Sequence, residues 1–337
     1  MKDLYRILPP FAPDYGGACE VMYELGGLVL IHDASGCTVN YVSFDEPRWH
    51  EKPGYVYCSG LTEIDAVMGN DDVLIEKALR AAETLHPNFI AFVGSSVPMI
   101  VGTDFEGIAR ETEERSGIPS FGFDCNGIRS YTEGAGKVLL ELVQRFTGEK
   151  TESRGILLLG QLPLDDNGTD ASARLKAFFP DVRASLCFDC SFSDLRDAQN
   201  AEKIVVVSRS GLPAAEYLHK TYGIPYSIGI PLPKAVSGHG STLVIGEDVR
   251  AWSLSEALGN AKALDIFSKE GLSDFHTADE DEIAAIVEGF DNVIADPVFE
   301  PMVRGNFVPM PTVSVSGGIF RDRVQALDTA GIAALLV

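Results

Sequence analysis

No apolar run in the sequence approaches the ~18 to 20 residues that a membrane-spanning helix requires, which excludes such a segment. The opening stretch, MKDLYRILPPFAPDYGG, lacks the apolar core of a secretory signal, so a cytoplasmic location is expected. Positive charge is scarce: 27 Lys and Arg stand against 49 Asp and Glu, a net charge of −22. A surface this acidic repels nucleic-acid phosphates and anionic lipid, and no Lys/Arg cluster offsets it. Neither class of partner is expected. Cysteine is sparse too, and six in 337 residues make no disulfide scaffold in a reducing compartment. Nucleotide signatures are missing: G-x-x-x-x-G-K-S/T does not occur, and the nearest string, GAGKV from Gly134, has the wrong spacing. G-x-G-x-x-G and H-E-x-x-H are absent as well, so nothing points to ATP, a dinucleotide or zinc hydrolysis.

What is present is an alternation of short apolar runs and helical segments, the grammar of parallel sheets covered on both faces. LVLIH ending at His32, FIAFVG from Phe89 to Gly94, and IPSFGFD ending at Asp124 read as strands. Helices are expected over about 71–84 and from Pro98 to about Arg115. The pattern restarts after TGEKTESRG with ILLLG, VRASL and KIVVV, and again after IPLPKAVSGHG with STLVIGEDVR, ADEDEIAAIVEG, NVIAD and TVSVSGG. At ~150 residues per domain the length suggests two domains, and three smaller units also fit. The restarts favour three Rossmann-like α/β domains with mostly parallel sheets, 1–152, 153–239 and 240–337.

Ligands of open α/β sheets sit beyond the C-terminal ends of the strands, where the strand order switches. This directs attention to Asp33–Cys37, Ser95 and Ser96, Asp124–Asn126, Cys187–Cys190 and Ser208–Ser210. Cys19, Cys37 and Cys58 each lie beside Gly or Ser in turn-like sequence, 18 and 21 residues apart. Iron–sulfur ligands are usually more crowded, so spacing this wide requires separate loops, or two subunits, to gather the thiols. The C-x-x-C in LCFDC, Cys187 and Cys190, straddles a strand end rather than opening a helix, which leaves structural, metal and redox roles all open.

Three longer strings carry a resemblance: GGACEVMYELGGLVLIHDASGC; SGLTEIDAVMGNDDVLIEKALRAAETLHPNFIAFVGSSVPMIVGTDFEGIARE; and AEKIVVVSRSGLPAAEYLHKTYGIPY. Their order, followed by LVIGEDVRAWSLSEALG and DNVIADP, resembles the nitrogenase component 1 superfamily across nearly the whole chain. The resemblance implies three Rossmann-like domains and an iron–sulfur cluster at a subunit interface. It implies a homodimer or paralogous heterodimer, fed with electrons by a separate P-loop ATPase iron–sulfur reductase. By the same resemblance, the first two cluster cysteines fall on Cys19 and Cys37, with His32 at the matching histidine. The third falls on Ser96, and Cys58 opens the S-G-L-x-E stretch as a substitute ligand. Two thiolates per chain imply one [4Fe–4S] cluster shared across a dimer, and three would match a larger eight-iron cluster.

The position of the family's iron–molybdenum cofactor ligand falls near Val207 and Ser208, and no matching histidine is evident near the C-terminus, which argues against dinitrogen reduction on that cofactor. The expectation is an oxidoreductase component reducing a small-molecule substrate in an interdomain cleft, with Cys187, Cys190, Ser208 and Arg209 at that cleft and His32 and Asp33 beside the cluster. The alternative is a non-catalytic scaffold on which a metal cluster or cofactor is assembled.

Overall fold

The computed structural model describes residues 5–34, 36, 41, 46–52, 54–166, 170–235, 240–320 and 328–337. Its framework is three parallel sheets. The first unit runs α1 (Asp14–Met22), β1 (Leu28–Ile31), β2 (Val56–Cys58), α2 (Glu63–Met68), α3 (Asp71–Leu85), β3 (Ile90–Val93), α4 (Ser96–Val101), α5 (Phe105–Ser116), β4 (Ser120–Phe123) and α6 (Tyr131–Phe146). The second continues with β5 (Ile156–Leu159), α7 (Ala171–Lys176), β6 (Val182–Leu186), α8 (Phe192–Arg196), β7 (Lys203–Val206), α9 (Leu212–Tyr222) and β8 (Tyr226–Ile228). The third holds β9 (Thr242–Gly246), α10 (Asp248–Leu258), β10 (Ala261–Asp265), β11 (Phe275–His276), α11 (Glu280–Val287), β12 (Asn292–Ala295), β13 (Asn306–Pro309), α12 (Val313–Ser316) and α13 (Thr329–Ala333).

The strand orders are β2-β1-β3-β4, β6-β5-β7-β8 and β11-β10-β9-β12-β13. Central strands such as LVLI and IAFV are buried on both faces, as parallel strands covered by helices must be. Each order reverses once, between β1 and β3, between β5 and β7, and between β9 and β12. Each reversal opens a crevice at the carboxyl ends of its strands.

Three sequence expectations change. Cys58 does not lie in a turn but ends a three-residue strand, β2. The helix expected from Pro98 to Arg115 is two helices, α4 closing on Gly102 at φ 76° and α5 opening on Asp104, whose carboxylate accepts from Gly107 N–H. The alternating TVSVS forms the short helix α12, because Asp296 accepts from Thr312 N–H at 2.8 Å and from Ser316 Oγ at 2.8 Å and so curls the segment around itself.

The N-terminal strap is pinned to the third unit by Glu280, whose carboxylate accepts the backbone N–H groups of Arg6, Ile7 and Leu8 at 2.9–3.1 Å. Desolvation pushes this carboxyl up, but those N–H donors outweigh it and hold the pKa below its ordinary value. A depressed carboxyl contributes stability above its unfolded pKa and loses it as pH falls through the folded value. Amide exchange in residues 6–8 should therefore accelerate selectively below about pH 4.3, and Glu280→Gln should accelerate it at neutral pH; unchanged protection in the variant would remove Glu280 as the anchor.

Candidate functional site

The carboxyl edge of the first sheet gathers most of the residues singled out by sequence. His32 and Asp33 follow β1, Cys58 ends β2, and Ser95 and Ser96 follow β3. Ser59 Oγ links the first two loops, lying 2.9 Å from His32 Nδ1 and accepting Asp33 N–H at 3.2 Å. Ser95 donates to the His32 carbonyl at 3.0 Å, and Ser96 donates to the Asn126 carbonyl at 3.0 Å. Burial lowers the His32 pKa, against the opposing pull of Asp33. The Cys58 thiol lies 3.2 Å from the Asp33 carbonyl and accepts Gly60 N–H at 3.3 Å. It is partly exposed, so it faces the rim of this edge rather than the core.

Cys19 stands elsewhere. It lies within α1, fully buried in the apolar core with Val21, Met22 and residues of α6. The glycines beside it serve packing rather than a turn: a Cβ on Gly17 would lie 2.1 Å from the Tyr131 carbonyl oxygen. Cys37 lies outside the described residues.

Around the rim, α2 and α4 present an apolar surface. α2 buries none of its residues, with Val67 85% exposed, and Ile100 on α4 is 76% exposed. Met68, Ile64 and Ile128 extend the same exposed set.

The cleft between the second and third units is closed by polar side chains. Tyr131 donates to Asp165 Oδ1 at 2.6 Å, and Ser208 Oγ stands 3.5 Å from the same oxygen. Glu247 accepts Arg209 N–H at 2.7 Å and Arg250 N–H at 3.1 Å, while Arg250 pairs with Asp166 at 2.8 Å. Burial pushes Asp165 up to about 6, and burial followed by Asp165's charge pushes Glu247 well up. The space left among them is about 30 Å³.

The four residues expected at that cleft divide. Ser208 and Arg209 border it, the Arg209 guanidinium lying 3.5 Å from Asp248. Cys187 and Cys190 are not among the residues that line it. Their loop, with Cys187 and Asp189 at φ 88° and 57°, packs against the first unit, where Arg48 donates to the Cys187 carbonyl at 3.0 Å. Burial pushes the Cys190 thiol up to about 12 and the Cys187 thiol well up, so neither is a ready nucleophile.

One group escaped the sequence. Among the described residues, Asp248, Asp265 and His276 bring ligand atoms within 4.8 Å of one another. They come from α10, β10 and β11, with no motif to announce them; their only signal was a place at or just after strand ends.

No described helix is long and apolar enough to cross a membrane. A family model described as nitrogenase component 1 type oxidoreductase matches residues 14–234. The nitrogenase molybdenum-iron protein alpha chain of Clostridium pasteurianum is 24% identical over 214 residues, 58% of this chain and 39% of that one. The nitrogenase iron-molybdenum cofactor biosynthesis protein NifE of the same organism is 25% identical over 174 residues, 50% of this chain and 38% of that one. The matched part thus spans about two fifths of these curated relatives. A solved structure described as nitrogenase Cp1 at pH 5 superimposes with a TM-score of 0.68 at 16% identity, covering 91% of this chain and 85% of that one.

Proposed function

Because this chain belongs to the nitrogenase component 1 type oxidoreductase family, we propose that it is a scaffold subunit on which a metal cluster or cofactor is assembled or held for transfer. The observation that carries this reading is the contrast between its two crevices. Small-molecule sites enclose about 300–1,000 Å³, whereas the polar pocket at Asp165 and Glu247 encloses about 30 Å³, the room of a water; the larger hollow between β8 and α10, about 640 Å³, is lined by no cysteine or histidine. No thiol lines that pocket, and its acids, Asp165 and Glu247, are already engaged by Tyr131 and by the Arg209 and Arg250 N–H groups. The rim of the first sheet, by contrast, is open and carries a thiol. Relatives named for cofactor biosynthesis in several organisms support the same choice.

The residues fit a thiolate-held cluster at Cys58, whose sulfur is partly exposed and receives an N–H of the kind that tunes cluster sulfur. Cys19 is buried within α1, so Cys58 is the accessible thiol of the two described. We therefore assign Cys58 a ligand role, with His32, Asp33 and Ser96 at the same sheet edge, and take Cys37, which lies outside the described residues, as the second thiolate that the family resemblance implies; two thiolates per chain would give one [4Fe–4S] cluster in a pair of chains. Such a cluster supplies one-electron storage when bound.

The test is transfer. Anaerobically reconstituted protein should pass iron and sulfide to an apo-acceptor of the same family, and should not reduce small-molecule substrates when given a family ATPase reductase, ATP and dithionite. Turnover under those conditions would replace the scaffold with the second reading, an oxidoreductase component fed by that reductase. That second reading draws on the match to a catalytic alpha chain.

The exposed apolar surface of α2 and α4 fits a protein partner, a second copy or a paralogue, that covers the rim. Val67→Glu combined with Ile100→Glu should weaken self-association by about 100-fold, or roughly 3 kcal/mol. Sedimentation showing wild type and variant with the same assembly state would remove this surface from the interface.

A further inference from the structure

The third sheet holds a group of side chains that the rim chemistry does not use. Asp248 opens α10, Asp265 ends β10 and His276 ends β11, so the three converge from separate elements on the carboxyl edge of one sheet. Both carboxylates are buried. Backbone groups fix their orientation: Asp248 accepts N–H from Leu272 and Ser273, and Asp265 accepts N–H from Phe267 and Ser268.

The histidine tautomer decides what the group can bind. Nε2 lies 3.1 Å from the Ser273 carbonyl, which only accepts, so Nε2 carries a hydrogen. Nδ1 is 3.4 Å from Asp265 Oδ2, yet it is buried and makes no hydrogen bond among the described residues. Nδ1 is thus the ring nitrogen turned toward the Asp265 carboxylate, with an oxygen of Asp248 also within 4.8 Å of the group. The Ser268 hydroxyl also donates to Asp265 Oδ2, the oxygen nearest the His276 ring. Arg209 approaches only Asp248, at 3.5 Å. A metal-bound histidine characteristically donates its second ring N–H to a backbone carbonyl, as His276 does.

We propose that Asp248, Asp265 and His276 form a site for one divalent first-row cation of the Mn²⁺/Fe²⁺ class, at the carboxyl edge of the third sheet. One imidazole and two carboxylates are borderline-to-hard ligands that suit these ions better than soft ones, and three protein ligands leave positions for water. The ion would tie β10, β11 and α10 together through one point. This site is independent of any cluster at Cys58.

The experiment is Mn²⁺ titration of the metal-stripped chain in 0.15 M KCl, following the EPR signal of free Mn²⁺, with excess Mg²⁺ to suppress loose surface binding. Wild type and Cys58→Ser should each take up one Mn²⁺ per chain, and His276→Ala and Asp265→Asn should bind it about tenfold more weakly or worse. Wild type should also melt at a higher temperature with Mn²⁺ than without it. A ¹⁵N spectrum of the metal-free wild type should show a hydrogen on His276 Nε2 and none on Nδ1. The proposal fails if wild type binds Mn²⁺ no more tightly than His276→Ala. It also fails if a hydrogen sits on His276 Nδ1, the nitrogen the ion would need. The wild-type titration, melt and spectrum need no variant to fold.

Discussion

Anaerobically purified Cys58→Ser should lose most of its iron and acid-labile sulfide, while Cys19→Ser should keep both and lose stability instead. The two thiols differ in place rather than in chemistry. Cys58 ends β2 at the open rim, where a metal group can reach it and where Gly60 N–H already faces its sulfur at 3.3 Å. Cys19 has no exposed surface and packs within α1 against the core. Replacing it with serine buries a hydroxyl where a small apolar group sat, at a cost of about 1–3 kcal/mol. Iron per chain and the urea midpoint, measured on both variants, separate the roles. Iron lost from Cys19→Ser but retained in Cys58→Ser would move the cluster to α1 and overturn the rim assignment.

Arg48→Met should destabilise the chain more than any rim substitution, by about 3–5 kcal/mol. The guanidinium is buried and pairs with Glu46 through Nε and Nη2, each at 2.8 Å. It also donates to the carbonyls of Glu20 at 2.9 Å and Cys187 at 3.0 Å, and it stands over the Tyr23 ring at 4.6 Å. Methionine fills much of the volume but leaves Glu46 buried without its partner, beside a Glu20 whose pKa burial and then Glu46 already push well up. Arg48→Met/Glu46→Gln should recover part of the loss, since both charges then leave together. Because Arg48 also anchors the Cys187 loop, the single variant should expose Cys187 and Cys190 to alkylation that wild type resists. A loss below ~1 kcal/mol, or no rescue by the double variant, would mean that the ion pair is not what holds this junction.

The fold was legible wherever apolar runs were long enough to be buried on both faces. β1, β3, β5, β7 and β9 all announce themselves in this way. β2 does not, because it is three residues long with Tyr57 facing solvent, and its place in the sheet depends on pairing with β1. The break between α4 and α5 was written in Gly102 and Asp104, a helix stop followed by a cap, but the apolar pattern on either side masks it. TVSVS has the period of a strand and forms a helix because Asp296, distant in sequence, binds its amide and hydroxyl groups.

The rim was half legible. Strand ends directed attention to Asp33 and Ser96, which the fold brings to one sheet edge, since that rule depends on topology. Glycine beside Cys19 read as a turn, whereas its reason is a neighbouring helix that no local pattern reveals. Asp248, Asp265 and His276 are 17 and 11 residues apart and share no motif. Only the folded sheet edge brings them together.

The crossing of α1 and α6 sets which parts of the chain can move. A Cβ on Gly17 would lie 2.1 Å from the Tyr131 carbonyl oxygen, and one on Gly134 would lie 2.0 Å from that of Asp14. Backbones this close cannot slide past one another, and α6 also packs against α9 of the second unit, so the first two sheets behave as one slab. The third sheet is bound to that slab by apolar packing as well as by the strap at Glu280: Tyr131 of α6 meets the Phe267 ring edge-on at 4.8 Å, and Leu158 and Val205 share a core with Val244 and Leu254. A cavity cut into that shared core should therefore loosen all three sheets together rather than one of them.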